Sequence, residues 1–369
     1  MKILYLTPNF SNYKASLYQF NTYKYLGKYC QLILWGPGFQ NFDQNLNLSD
    51  VVAKFNLSKN DVICLGHAWL SDLPLNNSSK NQYSGYSWIN TNGSKLNLNI
   101  LEYCRKYNFS EFDGKKIIIL NKEYISLEEK LKFIKENKFD LALCLNPNFK
   151  LYEEKTGVIF KFWPNAVDHL KFNKQNNYKY DLCFSGLIQN YNIDSSSKDS
   201  NQLRFEIFNE IFFQAFGLKI LKKPKYAKYK IFWNSFSGRK YFDLILKIKK
   251  QYKYLAYDNY LELLSSSRST LNTLGPSGLI GPRYFECMLS KSICFAEESV
   301  LYKKIFKEDE NIVYFKKDLS DFKEKLNFVT SDSSLIKKIK NNAYDFVINQ
   351  HTYDKRAQDL VKWVEDINK

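Results

Sequence analysis

The sequence predicts an α/β protein built from two doubly wound domains that face each other across a cleft. Short apolar runs alternate with helix-like segments in both halves of the chain, and a polar break around residues 164–180 separates the halves. A length of 369 residues is enough for two domains of ordinary size. Because repeated strand–helix units form parallel sheets with helices on both faces, each half is expected to fold in this way.

The first half begins with the apolar run KILYL, a helix pattern over residues 15–26 and a second run, QLILW. Later strands are predicted at 61–66, 115–120, 140–145 and 157–162, with helices at 97–107 and 126–136. Between residues 71 and 95 the pattern lapses into a long connection, which either shapes a ligand site or is a plain surface insertion. We assign residues 1–167 to the N-terminal domain and 168–180 to a linker.

The same alternation starts again after the linker. Strands are predicted at 181–185, 218–221, 270–273, 292–296 and 312–315, and helices at 203–216, 239–250, 259–266, 282–289 and beyond. We assign residues 181–350 to the C-terminal domain. Residues 351–369 are predicted to form a helix that can pack back on the N-terminal domain.

Composition narrows the possible partners. Lys and Arg exceed Asp and Glu by 54 to 38, a net charge of +16 that favours an anionic partner, although Lys-rich usage also reflects an AT-rich genome. Seven cysteines without a CxxC pair indicate free thiols in a reducing cytosol, and three distant histidines give no metal site. No stretch is apolar enough for a signal sequence or a membrane span, so the protein is expected to be cytoplasmic or peripheral to a membrane.

The stretch TLNTLGPSGLIGPRYFECMLSKSICFAEE, residues 270–298, contains the most informative pattern. A strand leads into a loop with three glycines, and a helix is predicted to begin at Pro282. Glycines allow a ligand close to the backbone, while the helix start and Arg283 suit a diphosphate. Glu286 lies one turn after Arg283, where its carboxylate can accept hydrogen bonds from ribose hydroxyls. The alternative is a tight turn with an Arg–Glu surface pair.

From Arg268 to Val361 the sequence resembles the C-terminal half of GT-B glycosyltransferases, on the segments PRYFECMLSKSICF, ENIVYF and NQHTYDKRAQDLV. It is most similar to the spore-maturation-type, or surface-polysaccharide group 1, branch, whose hallmark is an R-x-x-E step followed by small residues and a strand. The segments DVICLGH, WPNAVD and DLCFSG resemble the family more weakly. The resemblance implies two Rossmann-like domains in the GT-B architecture, with the acceptor on the first and a nucleotide sugar on the second.

By resemblance, Glu286 would bind the ribose, and Arg283 would lie near the diphosphate and sugar together with the Gly275–Gly281 loop. The donor-binding residues implied in this way are Gly186, Arg204, Tyr257, Ser277, Gly278, Arg283 and Glu286. Many retaining members carry a second glutamate at the position that Gly278 occupies here. The sugar contact and the stereochemistry therefore depart from the family's usual pattern.

His67 follows a predicted strand in CLGHAWLSD and is the candidate catalytic residue. A histidine there can act as general base toward an acceptor hydroxyl, contact the donor sugar, or simply hold the following loop. Asp72 is the second candidate for the base. No D-x-D motif follows a strand, and the Asp and Ser of SDSS fit helix caps, so no metal and no other cofactor are expected.

The span 219–253 is rich in Lys, Arg and aromatic residues. It could be a solvated helix face, a contact with an anionic membrane surface, or a site for single-stranded nucleic acid. We therefore expect a metal-independent glycosyltransferase that uses a nucleoside diphosphate sugar as co-substrate and a glycan or lipid-linked acceptor. The alternatives are a nucleic-acid-binding protein, the least favoured, and a GT-B scaffold without catalysis.

Overall fold

The computed structural model describes residues 1–11, 17–66, 88–89, 95–96, 107–124, 126–172, 178–186, 202–204, 206–207, 230–233 and 257–367. The chain divides into two compact units. The N-terminal unit consists of Met1–Asn165 together with Tyr353–Lys369, and the C-terminal unit consists of Ala166–Thr352.

The N-terminal unit contains a parallel sheet. Its strands begin with β1 (Lys2–Leu6), β2 (Gln31–Trp35) and β3 (Val62–Leu65). A short antiparallel pair, β4 (Trp88–Ile89) and β5 (Lys95–Leu96), lies in the connection that follows. The sheet continues with β6 (Lys115–Ile119), β7 (Leu141–Cys144) and β8 (Ile159–Phe162), in the order β2-β1-β3-β6-β7-β8. Because helices cover both faces, the central strands β3 and β7 are apolar and buried throughout.

Four helices precede the C-terminal unit among the described residues: α1 (Leu17–Leu26), α2 (Leu48–Lys54), α3 (Leu127–Glu136) and α4 (Lys150–Thr156). The sequence pattern predicts α1 and α3 but not the seven-residue helices α2 and α4. The helix predicted over 97–107 lies almost entirely outside the described residues.

The C-terminal unit also contains a parallel sheet. Its strands are β9 (Tyr180–Gly186), β10 (Lys230–Trp233), β11 (Ser267–Asn272), β12 (Ile293–Glu297) and β13 (Val313–Phe315), in the order β10-β9-β11-β12-β13. Its helices include α5 (Tyr257–Ser265), α6 (Arg283–Leu289), α7 (Phe322–Val329) and α8 (Ser334–Gln350). Residues 202–204 and 206–207 are helical. The strand predicted at 218–221 and the helix predicted at 239–250 lie outside the described residues.

The last helix, α9 (Tyr353–Ile367), belongs to the N-terminal unit and packs against α1. The rings of Tyr25 and Tyr353 stack with their centroids 5.9 Å apart. Arg356 donates a hydrogen bond of 3.1 Å from Nε to the backbone oxygen of Pro164. These contacts tie the end of the chain to the unit in which it begins.

None of the described helices is both long and apolar enough to cross a membrane. Of the cysteines within the described residues, Cys30 is partly buried and the others are buried, and all are free thiols. The buried members are Cys64, Cys144, Cys183, Cys287 and Cys294.

A buried carboxylate, Glu123, lies just beyond the carboxyl end of β6. Its Oε1 accepts a hydrogen bond from the backbone N–H of Leu145, and its Oε2 accepts one of 3.1 Å from the hydroxyl of Tyr152. Burial raises the pKa of Glu123 from 4.5 to about 7, although these hydrogen bonds and the charge of Lys130 oppose the rise. The carboxyl group thus links the end of β6 to the end of β7. The free energy of burying it depends on whether it is protonated.

We expect Glu123 to make the stability of the N-terminal unit fall as the pH rises from about 4.5 to 7. The folded state holds the proton in this window and the unfolded state releases it, so the folded state binds more protons. The full effect is at most about 3 kcal/mol. Replacement by glutamine, which resembles the protonated group, should change the urea midpoint little at pH 5 and raise it at pH 8.5. The exposed Glu136→Gln is the control, and equal effects of Glu123→Gln at both pH values would contradict the assignment.

Candidate functional site

The carboxyl ends of β9, β11 and β12 carry the polar residues of the candidate site. Gly186 ends β9, Thr273 and Leu274 follow β11, and Glu297 ends β12. Parallel strands have their carboxyl ends at one edge of the sheet, which is where ligands bind in open α/β sheets. Glu297 Oε2 accepts a hydrogen bond of 2.9 Å from the N–H of Leu274 and so links the ends of β11 and β12.

Arg204 reaches this edge from the helical segment after β9. Its Nε donates to Oγ1 of Thr273 at 2.6 Å, and a terminal nitrogen lies 3.5 Å from the carbonyl oxygen of Leu274. Burial, and after it the positive charge of Arg283, lower the pKa of Arg204 to about 10, while Glu297 opposes this shift. The positive charge of Arg283 has a larger effect on this pKa than the negative charge of Glu297.

Arg283 is the first residue of α6 and follows Pro282. Its guanidinium carbon lies 5.6 Å from the ring centroid of Phe184, a β9 residue. Its Nε is buried and has no hydrogen-bond partner within the part of the chain that the structure describes. A helix end is equivalent to about half a charge. Two full guanidinium charges therefore dominate the positive potential here.

Glu286 lies one turn further along α6, and only 8% of its surface is exposed. Its Oε2 accepts a hydrogen bond of 2.7 Å from the hydroxyl of Tyr260 on α5. Tyr257 begins α5 one turn before Tyr260. Since both turns belong to regular helices, the carboxylate is held on a rigid support.

The loop between β11 and α6 is a tight turn. The N–H of Gly275 donates to the carbonyl oxygen of Leu279 at 2.8 Å, and a Cβ at Gly275 would lie 3.0 Å from that oxygen. Ser277 and Gly278 both have left-handed backbone conformations, with φ of 55° and 69°. Glycine is favoured at Gly275 because a Cβ there would be crowded, and at Gly278 because of its conformation.

The structure thus gathers several residues that the sequence singles out. Arg204 is bonded to Thr273 at the end of β11, Arg283 and Glu286 lie one turn apart on α6, and the turn with Ser277 and Gly278 connects β11 to that helix. Gly186 and Tyr257 are described by their backbone positions at the end of β9 and the start of α5. Their roles in ligand binding stay predictions.

Other predicted features lie outside the described residues. These include His67, Asp72 and all of the basic span 219–253 except Lys230–Trp233. That segment forms β10, which pairs with β9 at the edge of the sheet. The expectation of a helix face is therefore wrong for these four residues.

Sequence reasoning missed Thr273, Glu297 and Tyr260. Thr273 is the last residue of one predicted strand, and Glu297 directly follows another. Their positions at the carboxyl edge of the sheet could therefore have been inferred. Tyr260 lies on a predicted helix 26 positions before Glu286, and no local pattern connects the two residues.

One of the caps predicted in SDSS is present, and one of its aspartates has another partner. Ser333 caps α8 by accepting a hydrogen bond of 3.2 Å from the N–H of Ile336. Asp332 pairs with Arg268. Within the described residues, no group of three or more His, Cys, Asp or Glu side chains could hold a metal ion.

Comparison with known proteins extends the picture. Residues 213–362 match the family model described as glycosyl transferase-like, and this match includes the basic span 219–253. A search of curated protein sequences finds no match.

Solved structures resemble the whole chain. Sucrose-phosphate synthase from Thermosynechococcus elongatus has a TM-score of 0.57 and 9% identity, covering 100% of this chain and 99% of its own. HepE from Anabaena, in complex with UDP-glucose, has a TM-score of 0.55 and 12% identity, covering 99% and 100%. TarM has a TM-score of 0.53 and 13% identity, covering 85% of this chain. This chain spans only 55% of the length of TarM.

These likenesses confirm the predicted α/β class and GT-B fold. Over residues 213–362, the family match agrees with the resemblance to glycosyltransferases. The narrower assignment to the spore-maturation-type branch stays a prediction.

We expect Gly278→Ala to lower the free energy of unfolding by about 1 kcal/mol, because a residue with a Cβ is disfavoured in the left-handed conformation. Gly281→Ala is the matched control, since a Cβ there meets no atom within 4 Å. Urea unfolding of both variants measures the difference. Equal destabilisation by the two substitutions would contradict the geometry of the turn.

Proposed function

We propose that this protein is a GT-B glycosyltransferase that moves a sugar from a nucleoside diphosphate sugar to a hydroxyl group of a cell-surface glycan or lipid-linked acceptor, without a metal ion. The observation that carries the proposal is that a glycine turn at the carboxyl edge of the C-terminal sheet lies between Thr273, to which Arg204 is bonded, and the helix that carries Arg283 and Glu286. This edge lies largely within the glycosyl transferase-like match. A nucleoside diphosphate sugar offers anionic phosphates and ribose hydroxyls to such groups.

The arginines suit the diphosphate. Arg204 is affected more by the repulsion of Arg283 than by the attraction of Glu297. A phosphate between the guanidinium groups would replace repulsion with attraction and accept charge-assisted hydrogen bonds. The N–H of Arg283 Nε is available for such a bond within the described residues.

Glu286 suits the ribose. Its carboxylate is nearly buried, so it exchanges few hydrogen bonds with water. A carboxylate offers about four acceptor sites, and one oxygen of Glu286 accepts from the Tyr260 hydroxyl. The vicinal hydroxyls of a ribose are donors of the kind that a carboxylate accepts.

The proposed reaction forms a bond between the acceptor oxygen and the anomeric carbon and breaks the bond from that carbon to the diphosphate oxygen. Negative charge grows on the leaving diphosphate as this bond breaks. Arg204 and Arg283 would stabilise that charge without a metal ion. His67 is the proposed general base that removes the acceptor proton.

The complex of HepE with UDP-glucose makes UDP-sugars the first donors to test here. A lipid-linked acceptor would bring the protein to the inner face of a membrane. There its net charge of +16 would favour anionic lipids.

We expect one of UDP, GDP, CMP or dTDP, or a sugar conjugate of one, to raise the thermal unfolding midpoint of the wild type by several degrees. Ligand at about 100 times Kd stabilises the folded state by about 2.7 kcal/mol. Glu286→Ala should lose most of this response because the ribose contact is removed.

A turnover assay separates a transferase from a binding scaffold. It uses the nucleotide sugar that binds, together with an acceptor glycan, and measures the release of the nucleoside diphosphate. No response to any nucleotide by the wild type would contradict the donor site. If a nucleotide sugar binds but is not turned over with any acceptor tested, the proposed catalysis is contradicted and the donor site is not.

We expect Arg283→Met to weaken nucleoside diphosphate binding between about 10- and 100-fold, because a hydrogen bond to a charged group is lost. Binding of the corresponding nucleoside should change less than 3-fold, since it has no phosphate. Lys304→Met removes the same charge at an exposed position and is the control. Calorimetric titration measures both affinities, and an equal loss for nucleoside and diphosphate would contradict a role for Arg283 at the phosphates.

A further inference from the structure

Lys340 lies on the buried side of α8, in the C-terminal unit. Only 8% of its surface is exposed, and its Nζ lies 4.0 Å from the ring centroid of Tyr178. Tyr178 comes just before β9, at the amino edge of the sheet. The candidate donor site is at the carboxyl edge, so this lysine belongs to a different part of the unit.

A second cation lies near the same ring. The guanidinium carbon of Arg268, on β11, is 5.5 Å from the ring centroid of Tyr178. Its Nε is 3.2 Å from Oδ1 of Asp181, and the guanidinium group also pairs with Asp332. Both carboxylates are therefore bound to Arg268. Within the described residues, neither of them, nor any other carboxylate, forms an ion pair with Lys340.

The end of α6 approaches the same place without adding a negative charge. The hydroxyl of Tyr178 donates a hydrogen bond of 3.3 Å to the carbonyl oxygen of Lys291. The Nζ of Lys291 lies 3.3 Å from Oδ1 of Asn341 on α8. Lys337 and Lys338, also on α8, are exposed. The surroundings of Lys340 therefore supply positive charges and an aromatic ring.

This arrangement disfavours the charged form of Lys340. Burial, and after it the positive charge of Arg268, lower the pKa of Lys340 to about 8, while Asp332 opposes this shift. At pH 7.5 about a quarter of the Lys340 side chains are then neutral, against about 0.1% for a lysine of ordinary pKa. The neutral amine is the form of lysine that acts as a nucleophile.

We propose that the Nζ of Lys340 is a site of covalent acylation by small acyl phosphates. The nitrogen forms a bond to the carbonyl carbon, the bond from that carbon to the phosphate oxygen breaks, and phosphate leaves with the electron pair. The nitrogen releases a proton to water, and the product is a neutral amide. The small exposed area of Lys340 excludes a bulky reagent, and the exposed Lys337 and Lys338 attract an anionic one.

The test treats the folded full chain with acetyl phosphate at pH 7.5 and follows the acetylation of each lysine by mass spectrometry of its peptides. Lys338 is the matched control, because it is exposed and lies two positions earlier on the same helix. We expect Lys340 to react about 10-fold faster, since its advantage in neutral fraction over an ordinary lysine is about 200-fold and its burial slows access of the reagent. In concentrated urea, which unfolds the chain, the two lysines should react at similar rates.

The pH dependence of the acetylation rate tests the role of the neighbouring charges. The rate for Lys340 should level off above about pH 8, whereas that of an ordinary lysine rises until about pH 10. Arg268→Met removes a like charge and leaves two carboxylates without their partner, so the midpoint should rise. Asp332→Asn removes an opposing charge at an exposed position, so the midpoint should fall.

Each outcome bears directly on the proposal. Acetylation of Lys340 no faster than that of Lys338, or a midpoint near 10, overturns it. An equal advantage of Lys340 in urea assigns the reactivity to the local sequence rather than to the fold and also overturns it. Midpoints that neither substitution moves contradict the role of Arg268 and Asp332. These results do not depend on glycosyl transfer, so they leave the proposed function untouched.

Discussion

The proximity of two guanidinium groups at one edge of the C-terminal sheet is the constraint on which the candidate site depends. Arg204 and Arg283 are both partly buried, and the positive charge of Arg283 opposes that of Arg204. Two neighbouring residues stabilise Arg204. The hydroxyl of Thr273 accepts a hydrogen bond from it, and Glu297 supplies an opposite charge. Glu297 also accepts from the N–H of Leu274, whose carbonyl oxygen faces Arg204. The residue that starts the glycine turn is thereby fixed at both its amide and its carbonyl group.

The strands in the centre of each sheet could be predicted from the sequence because helices cover both of their faces. Buried runs such as β3 and β7 contain apolar residues almost without interruption. The helix α2 escaped prediction because it has two buried residues, Leu48 and Val51, and too few turns for a periodic pattern. Its start depends on a capping box between Asn47 and Asp50. The strand β10 escaped because its four residues, KIFW, are too few to show an alternating pattern and lie in a span rich in Lys and aromatic residues.

The candidate site could be predicted only where its residues are close in sequence. The spacing of Arg283 and Glu286 on one helix face is a local property, and glycines mark the turn before them. The bond from Arg204 to Thr273 spans 69 positions. It depends on the pairing of β9 with β11, which no local pattern contains. Local chemistry therefore identified the helix that carries the site, and tertiary packing supplied its partners.

The conformation of the turn before α6 helps to explain why position 278 is a glycine and not a glutamate. Two consecutive left-handed residues, Ser277 and Gly278, let the N–H of Gly278 donate to the carbonyl oxygen of Gly275. A glutamate at Gly278 would be strained in this conformation. It would also add a carboxylate to a region that already holds Glu286 and Glu297, which would oppose binding of an anionic diphosphate. The conformation of the turn and the negative charge of the nearby carboxylates thus both favour glycine at position 278. We expect the donor sugar to contact the backbone there rather than a carboxylate.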